Sequence, residues 1–548
     1  MPLAVRLFRD DRRCLLVVLT LALFLFALQL GARDLWAPDE PRTGVIVRAI
    51  VQDSGWAVLR DNGRPYHEKP PLYFWLAALA AIAGGGVDAF TLRLPASVAA
   101  LGGIVVLFYL GRNLFGRRTG ALAAMVLATT QNWFMEARWA HPDMVWTALL
   151  LLACMAFQRA HALGGDVRRL FVFYLAMGGA VLAKGPLGIL LPALAVVTFL
   201  AATRDLAFLR RSGWAWGLPL SLLPAGLWLA AWKVSAGAPF PLPDALGRLA
   251  QRFTQGIHHP RPFLHLFTSL PVEFLPWTVL LPGALLYTLP RRGGRVDREN
   301  AYLYSWIFVL LAIFGLSAEK RGVYLLPLLP LLAILVARVW DAALLDWDPS
   351  PVARTIRGGL LGGAVLGAAS LAWAVARLRR EAADLVAPAA LLGGMLVLTA
   401  VVALVVQARR GGGAALGTVV AGLTACYTFV VVAVFPVLDG HKSARPFCAR
   451  VARLVGEAPL CIYPNYRSAY AFYSGRTLAT PHDRDALRAF LAAPEPAYCL
   501  VEQGRMERDR DALGLELDTL DRETIGHRSM LLVAARRGPA PATREVLP

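Results

Sequence analysis

Charge is what this sequence has least of. Asp, Glu, Lys and Arg make up 17% of 548 residues, against 57% apolar, where a soluble domain carries about 25% charged residues. That shortage excludes both a water-soluble globular protein and a disordered one. Acids are the scarcer sign, 37 against 56 Lys and Arg, leaving a formal charge of +19. A basic excess of this size suits nucleic acid or anionic lipid, but no platform of basic and aromatic residues for a single strand occurs, so no nucleic-acid partner is expected. Cysteine is scarce too: there are six, without a C-x-x-C metal pair. No G-x-G-x-x-G follows a strand-like run, so no nucleotide cofactor is expected.

What is abundant is apolar sequence in runs near the ~20 residues that cross a bilayer. Thirteen such runs are expected as spans: 14–32, 94–111, 118–133, 144–160, 168–183, 185–202, 214–232, 274–290, 299–317, 323–337, 357–376, 385–407 and 413–436. The N-terminus carries Arg6, Arg9, Arg12 and Arg13 with no small-residue cleavage motif after the first run, so it reads as a retained span. With that end inside, the Arg-rich loops (GRNLFGRRTG, QRAHALGGDVRR, RDLAFLRR, RRGGRVDR, QARR) all fall on the cytoplasmic face, as the bias of basic residues toward that face requires. An odd count puts the C-terminal segment outside. A multi-pass membrane protein is expected, with its polar loops on the outer face.

One apolar run does not fit that count. Pro70 to Ile82 (PPLYFWLAALAAI) reaches only about 20 Å as a helix against a hydrocarbon core of about 30 Å. It suits an interfacial or re-entrant helix, which makes 33–93 one long outer loop with helices lying along the membrane. Counting it as a span would flip every later loop and put the Arg-rich ones outside. The outer face then gathers 33–93, 134–143 (FMEARWAHPD), 233–273 and 318–324 (AEKRGVY). Charged residues near membrane depth are costly and line cavities, so their convergence signals function.

Composition shifts after residue 436. Residues 437–548 read as short strands (CIYP, AYCLVEQ, SMLLVAA) alternating with helical stretches 443–455, 484–492 and 504–512, a small α/β domain beside the 1–436 membrane domain. Three cysteines, Cys448, Cys461 and Cys499, fall there, enough for one disulfide if the segment is extracytoplasmic. No inverted repeat of the transporter type is visible.

Several residues of the outer face carry chemistry. Asp39 and Arg42 in DEPR are spaced i, i+3, on one side of a surface helix; they read either as a capped helix start with an exposed ion pair or as a reactive carboxylate with its partner. Asp143 in HPDM is either a helix cap or an acid set to act as general base or to stabilise positive charge on a sugar ring. Glu68, His258 and His259 offer ligands to a divalent ion such as zinc, magnesium or manganese, while histidines in a Pro-rich loop also serve structure. Lys69, Arg252, Arg261, Lys320 and Arg321 stand on the outer face against the charge bias of the rest. Either they snorkel to headgroups or they bind a phosphate, Lys as a point charge and Arg as a fork, with the Tyr324 hydroxyl as a further donor. Lys184, at the AKGP break, is a candidate that also suits a helix end.

In order, LWAPDEPR, PYHEKPP, HPD, AKGPLG, QRF…HHPRPF…LPW and EKRGVYLLP resemble the lipid-dependent glycosyltransferases of the GT-C class, within the protein O-mannosyltransferase superfamily, and among them the aminoarabinose transferases that modify lipid A. The resemblance covers roughly residues 33–335. It implies a helical membrane protein of thirteen spans and transfer of 4-amino-4-deoxy-L-arabinose from undecaprenyl phosphate to lipid A phosphates outside the membrane. Position by position, it implies Asp39 and Asp143 as catalytic carboxylates, Arg42, Tyr66, Lys69, Arg252, Arg261, Lys320, Arg321 and Tyr324 around the carrier phosphate and substrate, and Glu68, His258 and His259 where a divalent ion sits. DEPR stands where the family has D-E-T-R, and EKRGVY replaces a K-G-K-L-P-T-Y-like stretch. The rival readings are a hexosyl or mannosyl transferase acting on protein or another glycolipid, and a secondary transporter or flippase. Transporters set ionisable groups at the bilayer midplane in broken helices, whereas here the charges collect at one surface.

Overall fold

The computed structural model describes residues 10–256, 260–289, 297–345 and 351–536. The chain divides into two compact units. The first holds Met1–Ala32, Gly55–Leu59 and Tyr66–Phe435; the second holds Arg33–Ser54, Arg60–Pro65 and Pro436–Pro548. The division therefore places residues 33–54 and 60–65 with the C-terminal segment, whereas the sequence expects them in the outer loop of the membrane domain and the structure leaves Glu68 and Lys69 there.

The first unit is helical throughout. Among the described residues, eight helices are long and apolar enough to cross a bilayer, and nine when the pair His265–Glu273 and Trp277–Thr288, bent by 112°, counts as one. A multi-span helical membrane protein is thus established. Every expected run is helical, but two are broken. The run at 118–133 ends its first helix at Ala128 and resumes as Gln131–Glu136. The run at 274–290 becomes the second limb of the bent pair. Pro70 to Ile82 becomes the 13-residue helix Leu72–Gly84, which is apolar but short.

Local chemistry sets where the helices stop. Asp88 caps Ala89–Phe115 with a reciprocal box, its carboxylate taking the Thr91 N–H while the Thr91 hydroxyl accepts from the Asp88 backbone N–H. Gly185, at φ +89°, ends Val167–Lys184 and turns the chain into Leu187–Ala202. The helices Asp143–Ala162 and Val167–Lys184 form an antiparallel hairpin joined by a short turn. Asp143 and Lys184 consequently stand at one end of the hairpin, while Arg159, Arg168 and Arg169 stand at or beside its turn, about 24 Å away along the helices.

The second unit is α/β. Its sheet runs in the order Leu460–Tyr463, Tyr498–Glu502, Arg528–Ala535, Leu517–Ile525, parallel across the first pair and antiparallel across the other two. Successive strand residues alternate between two apolar layers. Leu460, Ile462, Leu500, Met530 and Leu532 pack with Phe447, Val451 and Tyr470 on one face; Cys461, Tyr463, Cys499, Val501, Leu531 and Val533 pack with Leu487, Leu491 and Leu513 on the other. The three expected strands are present. The fourth, Leu517–Ile525, is an edge strand rich in charge (LDTLDRETI), which hid its pattern.

Residues 33–54 are tied into this unit by buried polar contacts. Glu40 is fully buried and takes a two-pronged bond from the Arg33 guanidinium at 2.8 and 3.1 Å, plus the Trp36 N–H at 3.0 Å. The Trp36 indole N–H donates to Asp439 at 2.6 Å, and the Tyr473 hydroxyl accepts the Leu35 N–H at 2.7 Å. Ile46, Val47 and Ile50 of the helix Asp39–Asp53 are buried as well. Breaking a buried ion pair from one side strands a dry charge and costs roughly 3–5 kcal/mol, whereas replacing both partners with apolar residues is often neutral. Thermal unfolding followed by tryptophan fluorescence should therefore show a large drop for Glu40→Gln and a much smaller one for the double change Arg33→Met with Glu40→Leu.

Candidate active site

Pro142 begins the helix that carries Asp143. The ring fixes φ and stands at the cap position with no side-chain cap, so Asp143 is the first helical residue and its carboxylate is left to other partners. Asp143 is 1% exposed. One oxygen, Oδ1, receives the Lys184 ammonium, and the other, Oδ2, lies against Nδ1 of His141. The helix-cap reading of Asp143 is thereby replaced: the acid holds two bases. His141, itself 5% exposed, meets Lys69 with its second nitrogen, Lys69 Nζ to His141 Nε2 at 2.8 Å. A chain of four charged or polar groups, Lys69, His141, Asp143 and Lys184, is the result. The Lys184 ammonium also stands 4.6 Å from the Trp146 ring and 5.2 Å from the Tyr324 ring, distances at which an aromatic face attracts a cation. Tyr324 is stacked on Phe314.

Glu136, at the end of the short helix Gln131–Glu136, faces this group. Its Oε2 is sealed from solvent. Burial first, then the negative charges of Asp143 and Glu273, push its carboxyl up to about 8, while Lys184 and Arg321 pull the other way. Glu273 closes the far side by packing on Gly322, where an added Cβ would strike its Oε1. All four expected outer segments thus contribute to this group in the first unit, through Lys69, Glu136 with His141 and Asp143, Glu273, and Arg321 with Tyr324.

The remaining nominated residues fall as follows. Lys320 is 4% exposed and gives its ammonium protons to the carbonyls of Arg261, at 3.1 Å, and Ser317; burial pushes its pKa down. It ties the 261 and 317–320 loops together. Arg261 and Arg321 are exposed, and Arg252 is half-buried beside the same loops, where the Arg252 carbonyl accepts the Glu319 N–H at 3.1 Å. Arg252, Arg321 and Asp143 act electrostatically on Tyr324. Tyr66 is buried edge-on against Phe74. Asp39 and Arg42 lie one turn apart on the helix Asp39–Asp53 of the second unit, Asp39 half-buried beside the buried Glu40. Glu68 is exposed, and His258 and His259 lie outside the described residues. Among the described residues no three of His, Cys, Asp or Glu gather as a metal site needs.

His141 and Glu136 were not nominated from the sequence, although both lie in FMEARWAHPD. A histidine two residues before an aspartate that opens an apolar run was the available signal.

Comparison with known proteins gives first the class and then particular relatives. Residues 68–229 match the family described as dolichyl-phosphate-mannose-protein mannosyltransferase, and the resemblance to lipid-dependent glycosyltransferases read in the sequence is borne out. More particularly, the chain is 29% identical over 326 residues to the undecaprenyl phosphate-alpha-4-amino-4-deoxy-L-arabinose arabinosyl transferase of Aeromonas hydrophila subsp. hydrophila, covering 58% of each chain. It is 29% identical over 340 residues to the protein of the same name from Erwinia tasmaniensis, covering 60% of this chain and 59% of that one. The chain spans under two thirds of the length of these relatives. Its fold is that of ArnT from Cupriavidus metallidurans, solved bound to undecaprenyl phosphate: TM-score 0.82, 20% identity, 95% of this chain and 99% of that one.

Because Glu136 binds its proton far more tightly folded than unfolded, it stabilises the protein most below its ordinary carboxylate range, and that contribution is lost as pH rises toward about 8. Melting temperatures measured from pH 5 to 9 should fall across this window in the wild type, and Glu136→Gln, which keeps the neutral shape, should flatten that part of the curve.

Proposed function

We propose that this protein transfers 4-amino-4-deoxy-L-arabinose from undecaprenyl phosphate to a phosphate of lipid A. The observation that carries the reading is the buried Asp143 carboxylate bridged to Lys184 and, through His141, to Lys69, in a chain with the fold of ArnT. The names of the curated relatives supply the sugar and carrier. Lipid A as acceptor comes from the resemblance.

The chemistry follows from where charge moves. In the transfer, the bond between the sugar's anomeric carbon and the carrier phosphate oxygen breaks, and the phosphate leaves with the electron pair. Lys69 is set as a point charge to take up that negative charge, with Arg252, Arg261, Arg321 and Tyr324 as further donors. An acceptor phosphate is already an anion at neutral pH and needs no base. The carboxylate work is therefore electrostatic: it offsets positive charge growing on the sugar ring. Asp143 serves that role from its clamp, and Asp39 is the second carboxylate that the resemblance assigns. Glu68, with His258 and His259 outside the described residues, is the candidate set for a divalent ion.

The hairpin supports one side of the membrane for the site. Arg159, Arg168 and Arg169 cluster at the turn opposite Asp143 and Lys184, so placing the basic turn in the cytoplasm puts the site at the periplasmic surface. Thirteen spans with the N-terminus inside would carry the second unit to the periplasm, and the protein is read as a monomer of the inner membrane.

Purified protein in nanodiscs, given undecaprenyl-phosphate-linked aminoarabinose and lipid A, should add the mass of one sugar residue to lipid A. Asp143→Asn should lower kcat/KM by about 10²–10³, the cost of removing one preorganised electrostatic group, and Asp39→Asn should lose most transfer while still folded. A wild type that leaves the donor intact, or either variant turning over normally, would overturn the corresponding assignment.

A further inference from the structure

The His141 ring decides which way Lys69 points. An ammonium has three N–H donors and no lone pair, so the 2.8 Å contact between Lys69 Nζ and His141 Nε2 requires that Nε2 be unprotonated and accept. A neutral ring with a bare Nε2 carries its proton on Nδ1. That nitrogen lies against Asp143 Oδ2, an acceptor suited to hold the proton there, while Lys184 occupies the other oxygen of the same carboxylate. The tautomer is therefore fixed from both sides. Lys69 itself sits in an irregular stretch between Tyr66 and the start of the helix at Leu72, on a backbone without regular hydrogen bonding and at the end of a flexible four-carbon stem. Fixing such a side chain costs rotamer entropy, which the bond to His141 helps to offset.

We infer that His141 is a positioning residue for the transfer reaction: its Nε2 lone pair, held toward Lys69 by the Asp143 carboxylate, aims the Lys69 ammonium at the carrier phosphate. The role rests on the function proposed above only in what Lys69 is aimed at. The aiming itself is a property of the site. No bond to substrate is made by His141, and no proton leaves it. The charged neighbours facing this arrangement include Lys69 on one nitrogen, Asp143 on the other, Lys184 beyond Asp143, and Glu136, which feels Asp143, Lys184 and Arg321.

Three substitutions separate aiming from packing. Gln places a carbonyl oxygen about where Nε2 stands and can accept from Lys69. Asn is too short to reach Lys69 but can still donate to Asp143, and Ala does neither. Two readouts apply to the full-length protein in nanodiscs. The first is the acetylation rate of Lys69 by an amine-reactive ester, quantified by mass spectrometry. It should rise several-fold in His141→Asn and His141→Ala and stay near the wild-type rate in His141→Gln. The second is transfer from undecaprenyl-phosphate-linked aminoarabinose. With Asn or Ala, kcat/KM should fall about tenfold to a hundredfold, the worth of one hydrogen bond to a charged group; most of the fall should lie in the KM for the donor, and Gln should recover much of it. Equal Lys69 labelling in all four proteins, or Gln behaving as Ala in both assays, overturns the inference. Labelling that follows the expected order in a wild type without transfer keeps the positioning role and rejects the function instead. Should the Ala variant fail to fold, the Gln and Asn pair decides alone.

Discussion

A carboxylate with 1% of its surface exposed has to be matched by cations and donors or it will not stay charged, and Asp143 is such a carboxylate. Much of the first unit's polar architecture can be read as meeting that demand. Pro142 starts the helix so that the acid comes first. The hairpin returns after eighteen residues of second helix to deliver Lys184 at the same level. His141 covers the other oxygen and passes the interaction on to Lys69. Trp146 and Tyr324 then wall the Lys184 ammonium with aromatic faces. Because every one of these groups answers to the same buried charge, the site is preorganised before substrate arrives, which is where electrostatic catalysis gets its advantage over water.

How much of this was legible depended on how local the signal was. Apolar runs are local, and those named from the sequence are helical, two of them with breaks, because burial in lipid forces the backbone to satisfy itself. The broken runs were visible in hindsight as Thr129–Thr130 and Pro276, polar or N–H-lacking residues inside apolar stretches. Asp143 and Lys184 could be nominated but not joined, since nothing in spacing says that positions 41 apart will touch. His141 was lost for the same reason: its meaning comes from Lys69, 72 residues earlier. Lys320 shows the opposite failure. Its charge on the outer face suggested a phosphate, yet its nearest partners are carbonyls, and a buried ammonium satisfied by backbone oxygens is part of the loop's own structure.

The Asp39–Glu40 dipeptide divides two tasks that the sequence could not separate. Neighbouring residues on a helix diverge by about 100°, so one of two adjacent acids turns inward. Glu40 takes that direction and is consumed by Arg33 and Trp36. Asp39 remains half-buried at the first turn, where its charge is favoured by the helix dipole. The acid that looks interchangeable with its neighbour in sequence is thus the one held by a rigid companion.

Residues 33–54 leave the ribosome long before the strands that complete their unit. At usual elongation rates the interval is on the order of tens of seconds, during which Glu40, Ile46 and Ile50 have no interior to enter. The second unit is therefore finished only when the last sheet strands, Leu517–Ile525 and Arg528–Ala535, have been made. A chain that stops before these strands leaves the sheet of this unit unfinished although the helix Asp39–Asp53 was made first, so completion of the unit waits on the carboxyl side of the chain.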